Sequence, residues 1–177
     1  MAKLNVNPQN PKDRKYFHDH NYSNENAVSI LARYAFNDSK TPSKIRGFYG
    51  TPNSSPECIQ NSFATIANIH DKDMIGHRKA EHFIFSFQHD EVDEVGEIQN
   101  ATRIIDLYCQ SLASEHQLFY SVHEDKKHLH AHIVINPINY RTGKRMQKNR
   151  AFLNEQLKTV DELVDFFKDN QDGNTLT

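Results

Sequence analysis

The stretch Leu118–Asn136 constrains the fold more than any other part of this 177-residue chain. His130 and His132 are two residues apart and alternate with Ala131, Ile133 and Ile135. A period of two puts the imidazoles on one side of a β-strand and the apolar residues on the other. Upstream, Leu118-Phe-Tyr-Ser-Val122 reads as a second strand whose last residue is His123, and the charged residues between the two form the connecting turn. On such a hairpin His123, His130 and His132 converge across antiparallel neighbours. The apolar underside does the packing, which leaves the histidine side for a cleft.

A single histidine in a strand is usually an ordinary surface or core residue. Three that converge make a metal site the better reading, and Asp125 adds a carboxylate able to orient one imidazole through its outer N–H. His128 is a lesser candidate, nearer the turn. Imidazole-only ligation accepts Zn, Mn, Ni or Co, so the ligands do not name the ion.

A chain of this length suits one domain, with roughly 70% of its unfolded surface buried. No apolar run reaches the roughly 20 residues of a membrane helix, and the first residues lack the apolar segment of a signal peptide. A soluble cytoplasmic protein is expected. Cys58 and Cys109 have no metal-type spacing and read as free thiols in a reducing compartment. The net charge of −2 argues against nucleic acid until its distribution is considered. Residues 88–97 hold five carboxylates and no Lys or Arg, and residues 151–177 hold six acids against two lysines; the remainder carries 19 basic and 12 acidic side chains. The densest basic run is Arg141–Arg150, with Lys144, Arg145 and Lys148 inside it. It follows the histidine strand directly and is expected at the same end of the molecule, where it would meet a phosphate backbone. A solvated basic loop is the competing reading.

Residues 1–22 read as a polar arm that could include one strand, and residues 169–177 as a frayed acidic tail. From Ser23, an N-cap candidate, Ala27, Ile30, Leu31, Tyr34 and Ala35 follow helical spacing. Ser54-Ser-Pro-Glu57 starts a second helix, over about 56–70. Glu81–Gln88 alternates, with Phe83, Phe85 and Phe87 on one face and His82, Ile84 and Ser86 on the other. Residues 97–115 and Leu153–Phe167 carry amphipathic helical patterns. The order predicts an α+β fold, an antiparallel sheet with helices packed on its apolar face and the opposite face open for chemistry.

These residues resemble a known family. His130-Ala-His132 matches the His-hydrophobic-His signature of the HUH endonucleases. The longer pattern His123-x-Asp125-x4-His130-x-His132, followed by Ile-Val-Ile-Asn136 and then Tyr140-Arg-Thr-Gly143-Lys, resembles the third motif of plasmid relaxases of the mobilisation-nuclease group. Leu31-Ala-Arg-Tyr34 with Lys40-Thr41 is similar to the motif in which those relaxases carry their nucleophilic tyrosine, and the Phe83–Phe87 strand with Ser86 to the segment before their long helix. Together the matches cover most of residues 25–150.

The resemblance implies a single relaxase domain over residues 1–177 with the HUH-endonuclease, ferredoxin-like palm. It implies an enzyme that nicks one DNA strand at an origin of transfer, with Tyr34 as nucleophile and a 5′-phosphotyrosyl intermediate. A divalent ion on His123, His130 and His132, Mn or Mg in use, would offset charge on the phosphodiester. Asp125 would act as base or orienter, and Arg33, Lys40, Arg141, Lys144, Arg145, Lys148 and Arg150 would bind DNA. The implied partners are single-stranded origin DNA, with or without a hairpin, relaxosome accessory proteins and a coupling protein, in the cytoplasm of a bacterium. A replication initiator or transposase of the same superfamily would more often place its tyrosine after the histidines. A metal-stabilised DNA-binding module or a water-using nuclease is the alternative from another class. Periodicity alone makes Tyr34 a core residue; Tyr22, just before the same helix, is the second candidate for nucleophile.

Overall fold

The computed structural model describes residues 3–6, 22–87, 92–93, 95, 98–125 and 128–172. Its strands are β1 (Lys3–Val6), β2 (Arg46–Tyr49), β3 (Glu81–Ser86), β4 (Leu118–His123) and β5 (His130–Ile135). Its helices are α1 (Ala27–Ala35), α2 (Pro56–Ile69), α3 (Ile98–Ala113) and α4 (Arg150–Asp172). The strands form one antiparallel sheet in the order β1-β3-β5-β4-β2, so the histidine strand β5 is central.

The period-two pattern decides which side chains meet. Phe83 and Phe85 of β3, Leu118, Tyr120 and Val122 of β4, and Ala131, Ile133 and Ile135 of β5 share one face. Against it pack Ile104, Ile105, Tyr108 and Leu112 of α3 and Val160 and Val164 of α4, the stripes those helices cannot leave in water. Tyr49 and Tyr120 both donate to Asp106 of α3, at 2.6 and 2.8 Å, which ties β2 and β4 to that helix. Gly47 permits this arrangement, because a Cβ there would lie 2.1 Å from Cε1 of Tyr120.

The sequence predicts helices on one face only; the structure has them on both. Val28, Leu31 and Ala32 of α1 and Ile59 and Phe63 of α2 form a second core with Phe119 and Val134, which project from the histidine face. Two apolar helical stripes needed cover, and this half of the face supplies it. The buried side of α1 is also rotated from the expected one: Val28, Leu31, Ala32 and Ala35 point inward, Ile30 is 47% exposed, and Tyr34 lies half-buried at the margin.

Helix starts differ in detail. The N-cap of α1 is Asn26 rather than Ser23, and that of α2 is Ser55, whose side chain accepts from the Cys58 N–H at 3.3 Å, with Pro56 at the first position. The strand β2 is not anticipated by the sequence. The helix α4 continues through residues 169–172, expected as frayed tail, while residues 173–177, most of the 1–22 arm and most of the acidic 88–97 segment lie outside the described residues. Both cysteines are free, Cys58 exposed and Cys109 buried. Among the described residues no helix is long and apolar enough to cross a membrane.

Candidate active site

His123 and His130 stand opposite each other in the β4–β5 register, and His132 follows on the same face. Their ring centroids are 4.3 Å apart for His123–His132 and 5.3 Å for the other two pairs. One nitrogen from each of these three buried residues lies within 4.8 Å of the others, a group able to hold a metal ion.

In two of the rings the remaining nitrogen fixes the tautomer. His123 donates from Nε2 to the carbonyl of Ala35 at 3.0 Å, and His130 donates from Nδ1 to the carbonyl of His128 at 3.0 Å. His132 has its Nδ1 2.8 Å from Nε2 of His82. That leaves His123 Nδ1 and His132 Nε2 buried with no hydrogen-bond partner among the described residues, beside the equally orphaned Ser121 Oγ. Buried polar atoms are seldom left unpaired, so ring nitrogens gathered this closely fit a cation. Burial also keeps the His123 and His132 rings neutral. It pulls His123 down to about 4, against a raising effect of the Ala35 carbonyl. Burial, then the neighbouring His82, His123 and His130 rings, holds His132 well below the usual histidine range. Neutral imidazole is the form that ligates.

Tyr34 reaches this cluster from the last turn of α1. Its ring centroid is 5.0 Å from that of His132, edge-on, and 5.6 Å from that of His123. The His123–Ala35 bond joins the histidine strand to the residue after Tyr34, and the Glu124 N–H donates to the Lys40 carbonyl at 2.8 Å, so the turn after α1 is laced to the end of β4. Lys40 Nζ lies 4.2 Å from the Tyr34 ring centroid and 3.9 Å from Asp125. Asp125 is also 3.9 Å from Nε2 of His130. The carboxylate therefore faces the nitrogen on the ligand side, and the outer N–H that the sequence predicts for it belongs to the His128 carbonyl. His128 itself is exposed, and its carbonyl is what meets His130.

Other described tyrosines have their hydroxyls engaged elsewhere. Tyr22 bonds His82, Tyr49 and Tyr120 share Asp106, Tyr108 donates to Gln156, and Tyr140 donates to the Ser114 carbonyl. Tyr16 lies outside the described residues.

The basic run is not at the histidine end. It leaves β5 beyond Ile135, where Glu81 pairs with Ile135, whereas Ser86 pairs with His130 at the other end of β3. Asn136 follows His132 by four residue steps, about 13 Å of extended chain. Several of its cations hold the fold together. Arg145 donates to the carbonyls of Arg78 and Lys72 at 2.9 and 3.0 Å, and Lys148 sits 2.5 Å from the buried Glu81, which also pairs with Arg78 at 2.8 Å. Arg141 lies over the Tyr140 ring, and Arg141, Lys144 and Arg150 are exposed. Arg33, beside Tyr34, pairs with Glu57 on the surface. Lys40 is thus the predicted DNA-binding cation that the fold brings to the tyrosine.

Sequence reasoning missed two residues here. His82 has the right parity for the histidine face, but its meeting with His132 depends on β3 lying beside β5, a pairing of strands distant in sequence. Asn136, at the end of the histidine motif, is a buried junction rather than part of the triad. Its Nδ2 donates to the Phe63 carbonyl at 3.2 Å and to Gln117 Oε1 at 3.0 Å, and its Oδ1 accepts from the Ile138 N–H at 3.0 Å.

A family model described as relaxase, MobA/VirD2-like, nuclease domain matches residues 34–165. Two Staphylococcus aureus proteins, each named Protein rlx, are 37% identical over 55 residues (31% of this chain, 17% of the relative) and 44% identical over 42 residues (24% and 13%). The aligned segments span less than a fifth of either relative.

Proposed function

The chain belongs to the relaxases with a MobA/VirD2-like nuclease domain, and from that membership we propose that it nicks one strand of DNA at an origin of transfer, with Tyr34 as the nucleophile. The observation that carries this reading is the Tyr34 ring lying against His132 and His123. The central antiparallel sheet is read as the HUH-endonuclease palm, and the described residues as one nuclease domain.

The Tyr34 oxygen attacks the scissile phosphorus and the phenol proton leaves. The bond from phosphorus to the 3′ oxygen breaks, and that oxygen departs as a 3′ hydroxyl after taking up a proton. The product is a 5′-phosphotyrosyl ester, which keeps the bond energy for rejoining. His123, His130 and His132 would hold a divalent ion, Mn or Mg in use, which when bound supplies positive charge to the non-bridging oxygens of the phosphodiester. Lys40, over the Tyr34 ring, offers a second positive charge to the same phosphate. Of the two roles open to Asp125, acceptor of the phenol proton fits its place better than orienter of His130, since the outer N–H of His130 already has the His128 carbonyl. Arg141, Lys144 and Arg150, exposed beyond the far end of β5, are read as contacts to DNA that extends away from the scissile phosphate. Accessory proteins of a relaxosome and a coupling protein are the partners this role calls for.

The test incubates the protein and a Tyr34→Phe variant with labelled single-stranded origin DNA from its own element, with Mn or with EDTA, and resolves products under denaturing conditions. A protein–DNA adduct that needs both Mn and Tyr34 is expected. An adduct that persists in Tyr34→Phe removes Tyr34 from the role, and Mn-dependent cleavage without adduct indicates a water nucleophile.

A further inference from the structure

His82 is a buried imidazole outside the triad, 1% exposed, on the face of β3 turned toward the histidines. It stacks on His132, centroids 5.0 Å apart at 26°, with its Nε2 2.8 Å from Nδ1 of His132. Its other nitrogen, Nδ1, is 3.0 Å from the hydroxyl of Tyr22, which is itself buried and meets the ring edge-on. The three groups form a line from the core to the metal-facing side of His132.

The polarity of that line decides whether His132 can ligate. To present a lone pair at Nε2, His132 must carry its proton on Nδ1 and give it to an acceptor. His123 and His130 use backbone carbonyls for this purpose. The atom facing Nδ1 of His132 is Nε2 of His82, which accepts only if His82 carries its own proton on Nδ1, and that proton then points at the Tyr22 oxygen. Run the other way, with Tyr22 donating inward, the line would end with a proton on His132 Nε2, and the triad would lose a ligand. Tyr22 has a φ of +48°, a left-handed backbone conformation that non-glycine residues seldom adopt, and its carbonyl accepts from the Lys79 N–H at 2.7 Å.

We propose that His82, backed by Tyr22, is a positioning residue that fixes His132 as the Nδ1–H tautomer and so sets the affinity of the triad for its divalent ion. A neutral imidazole thus stands where a carboxylate or carbonyl usually orients a metal-bound histidine. The proposal rests on the reading of the triad as a metal site.

The test measures Mn and Zn affinity of the whole chain by competition with a chromophoric chelator, alongside melting in EDTA. Removal of an outer-shell partner typically costs about 10–100-fold in metal affinity, and that loss is expected for His82→Leu. His82→Gln, whose amide oxygen can replace the acceptor, is expected to bind close to wild type, and Tyr22→Phe to lose less than His82→Leu. A His82→Leu protein that melts later than its assay temperature in EDTA yet binds metal like wild type overturns the proposal. Long-range proton–nitrogen spectra of the metal-free wild type need no variant: a proton on His132 Nδ1 supports the proposal, and one on Nε2 overturns it. A wild-type protein that binds neither ion overturns the metal-site reading itself, and is thereby told apart from failure of the His82 role alone.

Discussion

Asn136 closes the histidine motif, which makes it look catalytic, but its contacts give it a mechanical task and its replacement a calculable cost. The side chain is 1% exposed and makes three hydrogen bonds, to the Phe63 carbonyl, the Gln117 side chain and the Ile138 N–H. Asn136→Ala removes all three and leaves each partner in the interior. At about 1 kcal/mol for a net hydrogen bond, with more where a buried partner is stranded, the loss is about 3–5 kcal/mol. For a chain of this size each kcal/mol lowers Tm by about 2–4 °C, so a fall of roughly 6–20 °C is expected by scanning calorimetry. Nicking per folded molecule at a temperature well below the transition should stay close to wild type, because Asn136 is about 13 Å along the strand from His132. The reasoning fails if Asn136→Ala melts within a degree or two of wild type. It fails equally if the variant keeps its Tm but loses most of its nicking, which would place Asn136 in the chemistry.

Gly47→Ala drives a methyl into the Tyr120 ring and, as that ring shifts, strains its bond to Asp106; overpacking of this kind costs about 1–3 kcal/mol. In a Tyr120→Leu background the added methyl should cost much less, so denaturant midpoints of the two singles and the double will be non-additive, and strictly additive values would exclude the clash. Burial, with a smaller effect of His123, takes His82 down to about 3, and burial likewise brings His123 down to about 4. The unfolded chain takes up protons near the ordinary value of 6.5 while the folded protein does not, so the metal-free protein loses stability as pH falls from about 6.5 toward about 4. Urea midpoints in EDTA should therefore drop between pH 7 and pH 5; a flat profile would mean these rings are not held neutral.

Much of the scaffold was legible because its signals are periodic. Phe83, Phe85 and Phe87 mark β3 by alternation, Ile104, Ile105, Tyr108 and Leu112 mark α3 by helical spacing, and the approach of His123, His130 and His132 follows from parity on one hairpin. The elements that escaped depend on long-range pairing. Arg46-Gly-Phe-Tyr49 is a four-residue edge strand, too short for a pattern and only partly buried, and it exists because β4 lies beside it. The place of the basic run could not be read from its nearness in sequence to the histidines, since a strand carries its two ends apart. Likewise Lys148 reads as a DNA contact until the buried Glu81 is seen beside it. His82 and Tyr34 show the same limit from the side of the site: the first needed the β3–β5 pairing, the second the exact rotation of α1 against the sheet.

The central place of β5 has a consequence for how the molecule comes into being. In the order β1-β3-β5-β4-β2, the pairs β1–β3 and β4–β2 are two-stranded halves that β5 unites, and β5 comes last in sequence among the five described strands. Two-stranded pieces are marginal alone, and pairings remote in sequence are slow to form. Until His130–Ile135 inserts, β3 and β4 each present an open edge to other chains. The keystone of assembly and the bearer of two triad histidines are therefore the same six residues, so a substitution in β5 would act on folding yield and on the proposed nicking at once, and the two are separable only by measuring the rate of refolding beside the rate of cleavage.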